Sequence, residues 1–528
     1  MSPHGWHLPP PDDRPTVLAH ALALRAAHGP GPWPDGGDPL PDRQARPAAA
    51  PLISDTVLEG IRSQHMTRAA APTASPGLAD LIEAVVRLPP EAGAVRRLRA
   101  AATAASSDDL LRQLRGRDLP TGRLRELALH LARHGTGRDE VATGVMLLGV
   151  SGDRRDRDLL LLLGALDTLT RYAVAALRGS QPDPDRAVYE LARRVDGWGR
   201  IHAVEQLRGT GDPEIRAWLL RDGYRNTIMD EYLAHLAATT GGLLDALAPD
   251  AIDEPLLSGA GGILLALLQG GPAADITHYP DGPRVIDRYL THAGNHPPEL
   301  SRVGVVGALR NFIAGQTVRP SGSGPSPDAV AWSAAERARL RDACDALTAR
   351  PAWRELLDRA LHRPDPEEFR RAIWVAEELR VPMDGLLREH LRRAPFDTYL
   401  WFSLVDSTSD IDGTSDIDGV LDLAAELLPL ADLATGPTLD LGLGSDRPEH
   451  VLDIVVSRLD AYPGKGWPLI AAALANATVR NRNMAVRALD AWPAGTPAAA
   501  QAVAAAARVE PDPGIDRRMR ALLRKWGM

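Results

Sequence analysis

Cysteine is almost missing from this sequence. The single one, Cys344, excludes an internal disulfide framework and a zinc site built from cysteine thiolates. Because its neighbours Ala343 and Asp345 offer no activating base, we expect a buried structural thiol and not a nucleophile. Such cysteine usage fits a reducing compartment, the cytoplasm.

Lysine is nearly absent as well, since Lys465 and Lys525 are the only two and all other basic side chains are arginines. This bias is typical of a GC-rich, bacterial-type composition. The formal net charge is −9, and residues 401–460 hold thirteen acidic residues against two arginines, which leaves the rest of the chain close to neutral. Such a distribution argues against a uniformly basic nucleic-acid binder.

Long apolar runs are also lacking. The longest, Leu159 to Leu166, ends at Asp167 and is far shorter than the ~20 residues that span a bilayer. The N-terminus, MSPHGWHLPPPDD, has no basic region followed by an apolar segment, so we expect no secretory signal. Aromatic residues make up only 4% and few stretches alternate with period two, which favours helices over strands. We therefore expect a soluble, cytoplasmic, all-α protein without membrane contact.

The clearest helical pattern of the chain lies between Trp198 and Gly241. Three apolar residues at three-residue spacing, Ile201, Val204 and Leu207, predict the first of three short helices. Glycines follow each of the first two helices and provide their ends. Helices this short are not stable alone in water, so each must be buried by its neighbours.

The other two helices of this stretch follow directly. Asp212 and Pro213 suit the N-cap and the first position of the second helix. A double row of apolar residues at i and i+4, from Ile228 to Ala237, predicts the third. The pattern is that of short helices buried side by side.

The pattern Arg-x-x-Ala/Val-Val-x-x-Leu at 200–207 recurs at 302–309 and 482–489, with weaker echoes at 84–88 and 173–177. Together with the Asp-Pro helix opening, this recurrence resembles the HEAT/armadillo class of helical repeats. The resemblance implies an α-solenoid of degenerate HEAT-like helical pairs, continuous or divided into two halves, that presents a concave binding surface.

Segments rich in Gly, Pro and Ser divide the chain into four predicted regions. They are a Pro/Gly-rich arm with short helices (1–75), an N-terminal array (76–314), a linker or long loop (315–328) and a C-terminal array (329–528) that contains the acidic segment 401–460. Besides the helices of the stretch from Trp198, we predict helices near 16–28, 53–66, 78–88, 91–105, 107–116, 121–134, 138–149, 156–178, 184–194, 252–269, 283–293, 298–314, 333–348, 351–361, 366–379, 383–392, 419–428, 449–460, 466–476, 480–491, 497–507 and 517–526.

The polar side of the third helix is the first candidate binding surface. Glu231 and His235 lie one turn apart, close enough to pair, and the carboxylate would raise the pKa of the histidine. An Arg-Asn pair precedes this helix and recurs three times, which predicts a ladder of donors for carboxylates, phosphates or backbone carbonyls. The alternative is that these pairs only hold adjacent turns of the stack together. The candidate binding residues are Arg200, Arg225, Asn226, Asp230, Glu231, Tyr232, His235, Arg310, Asn311, Arg480, Asn481, Arg482 and Asn483.

Two motifs suggest metals but are incomplete. Glu126, His130 and His134 stand at i+4 spacing without the HExxH signature, so we interpret them as a solvated helix face. The tandem TSDIDGTSDIDG, which ends at Gly419, lacks the further oxygen ligands that a calcium-binding loop needs, so we interpret it as an acidic solvated loop. Of the eleven tryptophans, we assign to the core those at 198, 218, 353, 374, 467 and 492.

No phosphate-binding loop, G-x-S-x-G elbow or dinucleotide glycine pattern occurs, so no catalytic residue, metal or cofactor is named. The leading hypothesis is a non-enzymatic scaffold or regulatory partner that binds another protein through the concave face, with Tyr and Arg as anchors. The alternative is a HEAT-like DNA-binding protein or an enzyme that resembles DNA glycosylases, with Asp230 or Glu231 acting near Trp198 and Trp218. The acidic charge favours the protein partner.

Overall fold

The computed structural model describes residues 14–42, 77–87, 97–98, 110, 113–114, 116–271, 273–315, 332–363, 365–407, 416–442 and 447–527. These residues form 26 α-helices and no strand, so the all-α prediction is confirmed. None of the helices in this part of the chain is long and apolar enough to cross a membrane.

The helices belong to two compact units. The first contains Met1–Pro298 and Val305–Ala349, and the second contains Glu299–Gly304 and Arg350–Met528. The division thus falls at residue 349, whereas the predicted linker at 315–328 lies, apart from Gly315, outside the described residues. The helix predicted near 53–66 also lies outside them.

Up to residue 349 the helices are α1 (Val17–His28), α2 (Leu78–Arg87), α3 (Thr121–His134), α4 (Arg138–Ser151), α5 (Arg157–Gly164), α6 (Asp167–Ser180), α7 (Pro184–Ala192), α8 (Gly197–Glu205), α9 (Pro213–Trp218), α10 (Glu231–Gly241), α11 (Leu243–Ala246), α12 (Glu254–Gln269), α13 (Gly282–Asn295), α14 (Leu300–Ile313), which contains residues of both units, and α15 (Ala334–Thr348).

The helices of the second unit are α16 (Pro351–Leu361), α17 (Pro366–Glu378), α18 (Asp384–Arg393), α19 (Thr398–Ser407), α20 (Ile417–Leu427), α21 (Leu430–Leu433), α22 (Pro448–Val456), α23 (Trp467–Leu474), α24 (Val479–Asp490), α25 (Pro497–Val509) and α26 (Pro513–Lys525).

Asp-Pro pairs begin several of these helices, as the sequence predicts. In α9, Oδ1 of Asp212 accepts hydrogen bonds from the backbone N–H groups of Glu214 and Ile215 at 2.9 and 3.3 Å. Asp512 caps α26 in the same way. The proline that follows each cap occupies a position where its missing N–H costs nothing.

Helices two apart in sequence pack side by side within the first unit. Helix α4 packs on α6, α6 on α8, α8 on α10, and α10 on α12. Of the helices between members of this row, α5 packs on α6, α7 packs on both α6 and α8, and α9 packs on α10. Each helix is therefore buried mainly by its neighbours along the chain.

The second unit repeats this arrangement. Helices α17, α19, α22, α24 and α26 form a row in which each packs on the next, and α23 packs beside α25. The recurring Arg-x-x-Ala/Val-Val-x-x-Leu pattern at 482–489 lies on α24, and its copy at 200–207 begins on α8. In both units this pattern therefore lies in a helix of the row.

The predicted helices differ from the structure in three ways: one splits, one was missed and one starts later than expected. Two helices occupy the region 156–178, where a single helix was expected, because the backbone of Leu166 is extended. The hydroxyl of Thr170 donates to the carbonyl groups of Gly164 and Leu166, at the end of α5 and the start of α6. Helix α19 was not predicted, although Oδ1 of Asp397 accepts from the backbone N–H of Leu400 at 3.1 Å and so marks its start. The third helix of the stretch begins at Glu231 and not near Ile228.

Candidate functional site

Two neighbouring helices of the first unit, α8 and α10, carry a group of ring side chains that we call the aromatic strip: Trp198, His202, Tyr232 and His235. The ring of Trp198 lies 6.5 Å from that of His202 and 5.2 Å, edge on, from that of Tyr232. Tyr232 and His235 share one face of α10 because they are three residues apart. Packing of α8 on α10 thus brings together rings that are 34 residues apart in sequence.

Trp198 is the most buried member of the strip, with 4% of its surface exposed. Its indole Nε1–H is buried and has no acceptor among the described residues. The other three members are partly exposed, and Met229 beside them is 39% exposed. The strip therefore combines a buried base with ring edges that solvent or a partner can reach.

Burial decides how the strip titrates. It lowers the pKa of His202 to about 4, with a further contribution from the positive charge of Arg171. It also lowers the pKa of His235 and raises that of Tyr232. Near neutral pH both imidazole rings are therefore uncharged.

The expected pairing of Glu231 with His235 is wrong. Nε2 of His235 faces the carbonyl oxygen of His278 at 3.3 Å, and the ring lies 6.2 Å from that of Tyr279. Burial outweighs any carboxylate, so the pKa of His235 falls where the sequence analysis expected a rise. Burial also raises the pKa of Glu231.

Asn226 holds the turn that precedes α10. Its Oδ1 accepts from the backbone N–H groups of Ile228 and Met229 at 2.9 and 2.8 Å, and its Nδ2 donates to the carbonyl of Met229. This side chain offers the backbone an alternative to the helix, which explains why the third helix starts late. Asp230 accepts from the N–H of Asn226 at 3.0 Å, and burial raises its pKa.

Arg200 and Arg225 play different parts. Arg200 donates from Nε to the carbonyl of Val195 and from Nη1 to the carbonyl of Arg225, both at 3.1 Å, and it also pairs with Asp222. Its guanidinium therefore ties α8 to the turn before α10. Arg225 is exposed, with its guanidinium 5.5 Å from the ring of Tyr224. Of the two, only Arg225 presents its charge to a partner.

The remaining Arg-Asn pairs lie in helices, not in loops. Nε of Arg310 donates to Oδ1 of Asp345 at 2.5 Å and links α14 to α15, and Asn311 follows it, half-buried, in the last turns of α14. Because the pair at Arg225 lies in a turn, the copies do not share one backbone setting.

Arg482 and Asn481 are buried inside the second unit, with 0% and 1% of their surfaces exposed. Arg482 donates to both carboxylate oxygens of Glu510 at 2.7 and 2.9 Å, and to the carbonyl groups of Asn476, Ala477 and Thr438. Asn481 donates to the carbonyl of Glu449 at 3.0 Å. These contacts favour the interpretation that the two residues hold adjacent turns together.

Arg480 and Asn483 lie on the same helix, α24, but closer to the surface. The side chain of Arg480 is 68% exposed and pairs with Asp453. Asn483 is half-buried, and Oδ1 of its amide accepts from Arg518 on α26. The sequence had no means to separate these two from their buried neighbours, because all four fall within one turn of one helix.

The two metal-like motifs have a structural explanation. His130 is 6% exposed, so the predicted solvated face is wrong at this residue, and its ring lies 5.1 Å from that of His134. Asp416 caps α20 and pairs with Arg388 at 2.8 Å, while residues 408–415 of the tandem motif lie outside the described residues. Within the described part of the chain no group of three metal-ligating side chains occurs.

The tryptophan assignments hold in part. Those at 198, 353 and 492 are buried, whereas those at 218, 374 and 467 are only partly so. Trp401, which was not singled out, is completely buried in α19. Cys344 is completely buried as expected, and burial raises the pKa of its thiol to about 12.

Neither a scan against protein-family models nor a search of the curated proteins finds a match for this chain. Function must therefore be inferred from side-chain chemistry. His202 was missed by the sequence analysis, since an isolated histidine in a helix carries no signal until the neighbouring helix is known.

Proposed function

We propose that the protein is a non-enzymatic scaffold, an α-solenoid of degenerate HEAT-like helical pairs that binds another cytoplasmic protein through the aromatic strip. The row α4, α6, α8, α10 and α12, in which helices two apart pack side by side, is the arrangement that stacked helical pairs produce. Each such stack offers one continuous face to a partner.

The observation that carries the proposal is the set of partly exposed rings on α8 and α10. Tyr232, His202 and the side chain of Met229 supply rigid or adaptable contact area that is uncharged near neutral pH. Aromatic residues, Met and Arg are enriched in protein interfaces, and the exposed Arg225 lies in the turn that precedes α10. A partner that covered the strip would remove apolar surface from water without burying an unpaired cation.

Two features argue against the alternatives. Two polar groups around the strip are used by the fold, since Asp230 accepts from the N–H of Asn226 and His235 faces the carbonyl of His278, which disfavours a catalytic role for them. Of the arginines expected to bind a partner, Arg200 and Arg482 donate to groups of the chain itself and are not free for DNA phosphates, whereas Arg225 and Arg480 are exposed.

The test is affinity purification from the native host with quantitative mass spectrometry. A protein partner enriched by the wild-type chain should be lost with Met229→Ala or Arg225→Ala, because interface anchors typically weaken binding at least about tenfold when truncated. Val381→Ala is the matched control, since that side chain is also 39% exposed but lies in the second unit. Equal recovery with all variants would refute the proposal.

A second measurement separates the DNA alternative. Titration of labelled duplex DNA at low ionic strength should give a flat anisotropy curve. Binding that weakens steeply with salt would instead support DNA contacts.

A further inference from the structure

A groove of about 580 Å³ lies in the second unit, along α19, α22 with the turn after it, and α24. Its volume is within the range of ligand sites. The side chains that matter for its chemistry are Phe402, Asp453, Arg458, Asp460, Arg480 and Arg487.

Carboxylates hold two arginines of α24 in fixed orientations. Nε of Arg480 donates to Oδ2 of Asp453 at 2.5 Å, and Arg487 donates from Nε and Nη2 to Oδ2 of Asp460 at 2.8 and 2.5 Å. The Nη groups of Arg480 and Nη1 of Arg487 have no acceptor among the described residues, and both side chains are more than half exposed. These donors are oriented before any ligand arrives, which lowers the entropy cost of binding.

The groove is also lined by apolar side chains. Phe402 on α19 is 51% exposed. The guanidinium of Arg458 lies 5.7 Å from its ring and pairs with Asp406. Met484 lies on α24 between the two oriented arginines and extends this surface.

The net charge of the groove limits the ligand. Arg458, Arg480 and Arg487 each pair with one aspartate, so guanidinium and carboxylate charges balance. An anion, whether a nucleic acid or an acidic peptide, would gain no long-range attraction here and can be bound only through short-range, charge-assisted hydrogen bonds. The unused groups are N–H donors, so the ligand must offer acceptors.

The spacing of the donors indicates a peptide. Arg480 and Arg487 are seven residues apart on α24, which at 1.5 Å per residue is about 10 Å. A single carboxylate or phosphate group is too small to reach both. Three residues of polyproline II chain, an extended conformation that rises about 3.1 Å per residue with three residues per turn, cover about that distance and bring both end side chains to the same side.

We propose that this groove binds an extended acidic peptide segment of a partner protein. Acidic side chains about three residues apart would be bound by Arg480 and Arg487, with an apolar side chain of the peptide on Phe402. This site lies in the second unit and does not depend on the aromatic strip.

The probe is a pool of fluorescein-labelled, capped octapeptides that carry Asp or Glu at two positions three apart and Leu or Phe between them. A matched pool replaces each acid by Asn or Gln. Anisotropy titration should show at least about tenfold tighter binding of the acidic pool, because hydrogen bonds from guanidinium to carboxylate are charge-assisted.

The variants Arg480→Gln, Arg487→Gln and Phe402→Ala should each weaken binding of the acidic pool about fivefold or more. Phe402→Ala leaves all ion pairs with Asp453 and Asp460 in place, so it tests the site even if Arg480→Gln perturbs folding. Arg520→Gln, which removes an exposed pair with Asp516 outside the groove, is the control and should bind like wild type.

Two results would overturn the proposal: equal affinity for the acidic and amide pools, or no binding of either at millimolar protein. Unchanged affinity in Phe402→Ala together with Arg487→Gln would do the same. Met229→Ala should bind the acidic pool normally, so failure of this site and failure of the aromatic strip can be told apart.

Discussion

At the scale of single residues, burial and not sequence neighbours sets the behaviour of the ionisable groups. Glu231 stands one turn from His235, yet the pKa of each moves in the direction that loss of solvent dictates. His202 shows the largest such effect in the strip, with a pKa of about 4. A histidine with a depressed pKa links stability to pH.

We expect the stability contribution of His202 to be lost on acidification. The pKa of its imidazole is about 6.5 in the unfolded chain and about 4 in the folded chain. Between these values the unfolded chain binds more protons, so the free energy of unfolding falls as the pH is lowered from about 6.5 to about 4. The loss attributable to this residue is up to about 3 kcal/mol.

Urea unfolding of wild type and His202→Gln at pH 7.5, 5.5 and 4.5 measures this effect. The variant carries no titrating group at this position, so the free energy of unfolding of the wild type should fall relative to that of the variant as the pH is lowered. Parallel pH profiles would show that the imidazole is not shielded from solvent.

At the scale of elements, close packing depends on glycines in α12. This helix packs on the π-helical turn Leu219–Gly223. A Cβ on Gly259 would lie 2.1 Å from the backbone oxygen of Leu220, and one on Gly262 would lie 2.0 Å from the hydroxyl of Tyr224. Glycine here permits an approach that no other residue allows.

We predict that Gly259→Ala destabilises the first unit by about 1–2 kcal/mol. Alanine favours a helix by up to ~1 kcal/mol over glycine, but the forced displacement of backbone costs about 1–3 kcal/mol. Gly122→Ala is the matched control, since Gly122 also lies in a helix and a Cβ there meets nothing within 4 Å. Urea unfolding followed by circular dichroism should show a loss in the first variant and none in the second.

At the scale of the whole molecule, we expect that helices arranged in the proposed stack transmit stability through their neighbours. The buried pair of Arg482 with Glu510 connects α24 to the residue that follows α25, and the two side chains are 0% and 1% exposed. Glu510→Ala would leave a buried guanidinium without its carboxylate, a change that typically costs about 3–5 kcal/mol.

Hydrogen exchange with mass spectrometry can follow where that loss appears. In Glu510→Ala, exchange should accelerate in α22 to α26 while α16 to α18, farther along the same unit, keep their protection. Asp516→Ala removes the half-buried carboxylate of a surface ion pair with Arg520 and should cost at most about 1 kcal/mol. Uniform acceleration over the second unit would contradict nearest-neighbour stacking.

The sequence by itself determined the helices, because helix formation depends on local periodicity and on caps such as Asp212 with Pro213. It failed where local signals conflict, as at Leu166, where an apolar run hides a break, and at Asn226, whose side chain delays α10. It also identified the region of the aromatic strip, since Tyr232 and His235 share a helix face.

Only the tertiary structure decided which polar side chains are accessible. Arg480 and Arg482 are two residues apart, yet the first is exposed and the second is completely enclosed. The groove beside Phe402 joins three elements that are separated by tens of residues, so no local pattern could reveal it. Burial and electrostatics are properties of packed neighbours, and those neighbours are fixed by how the helices stack.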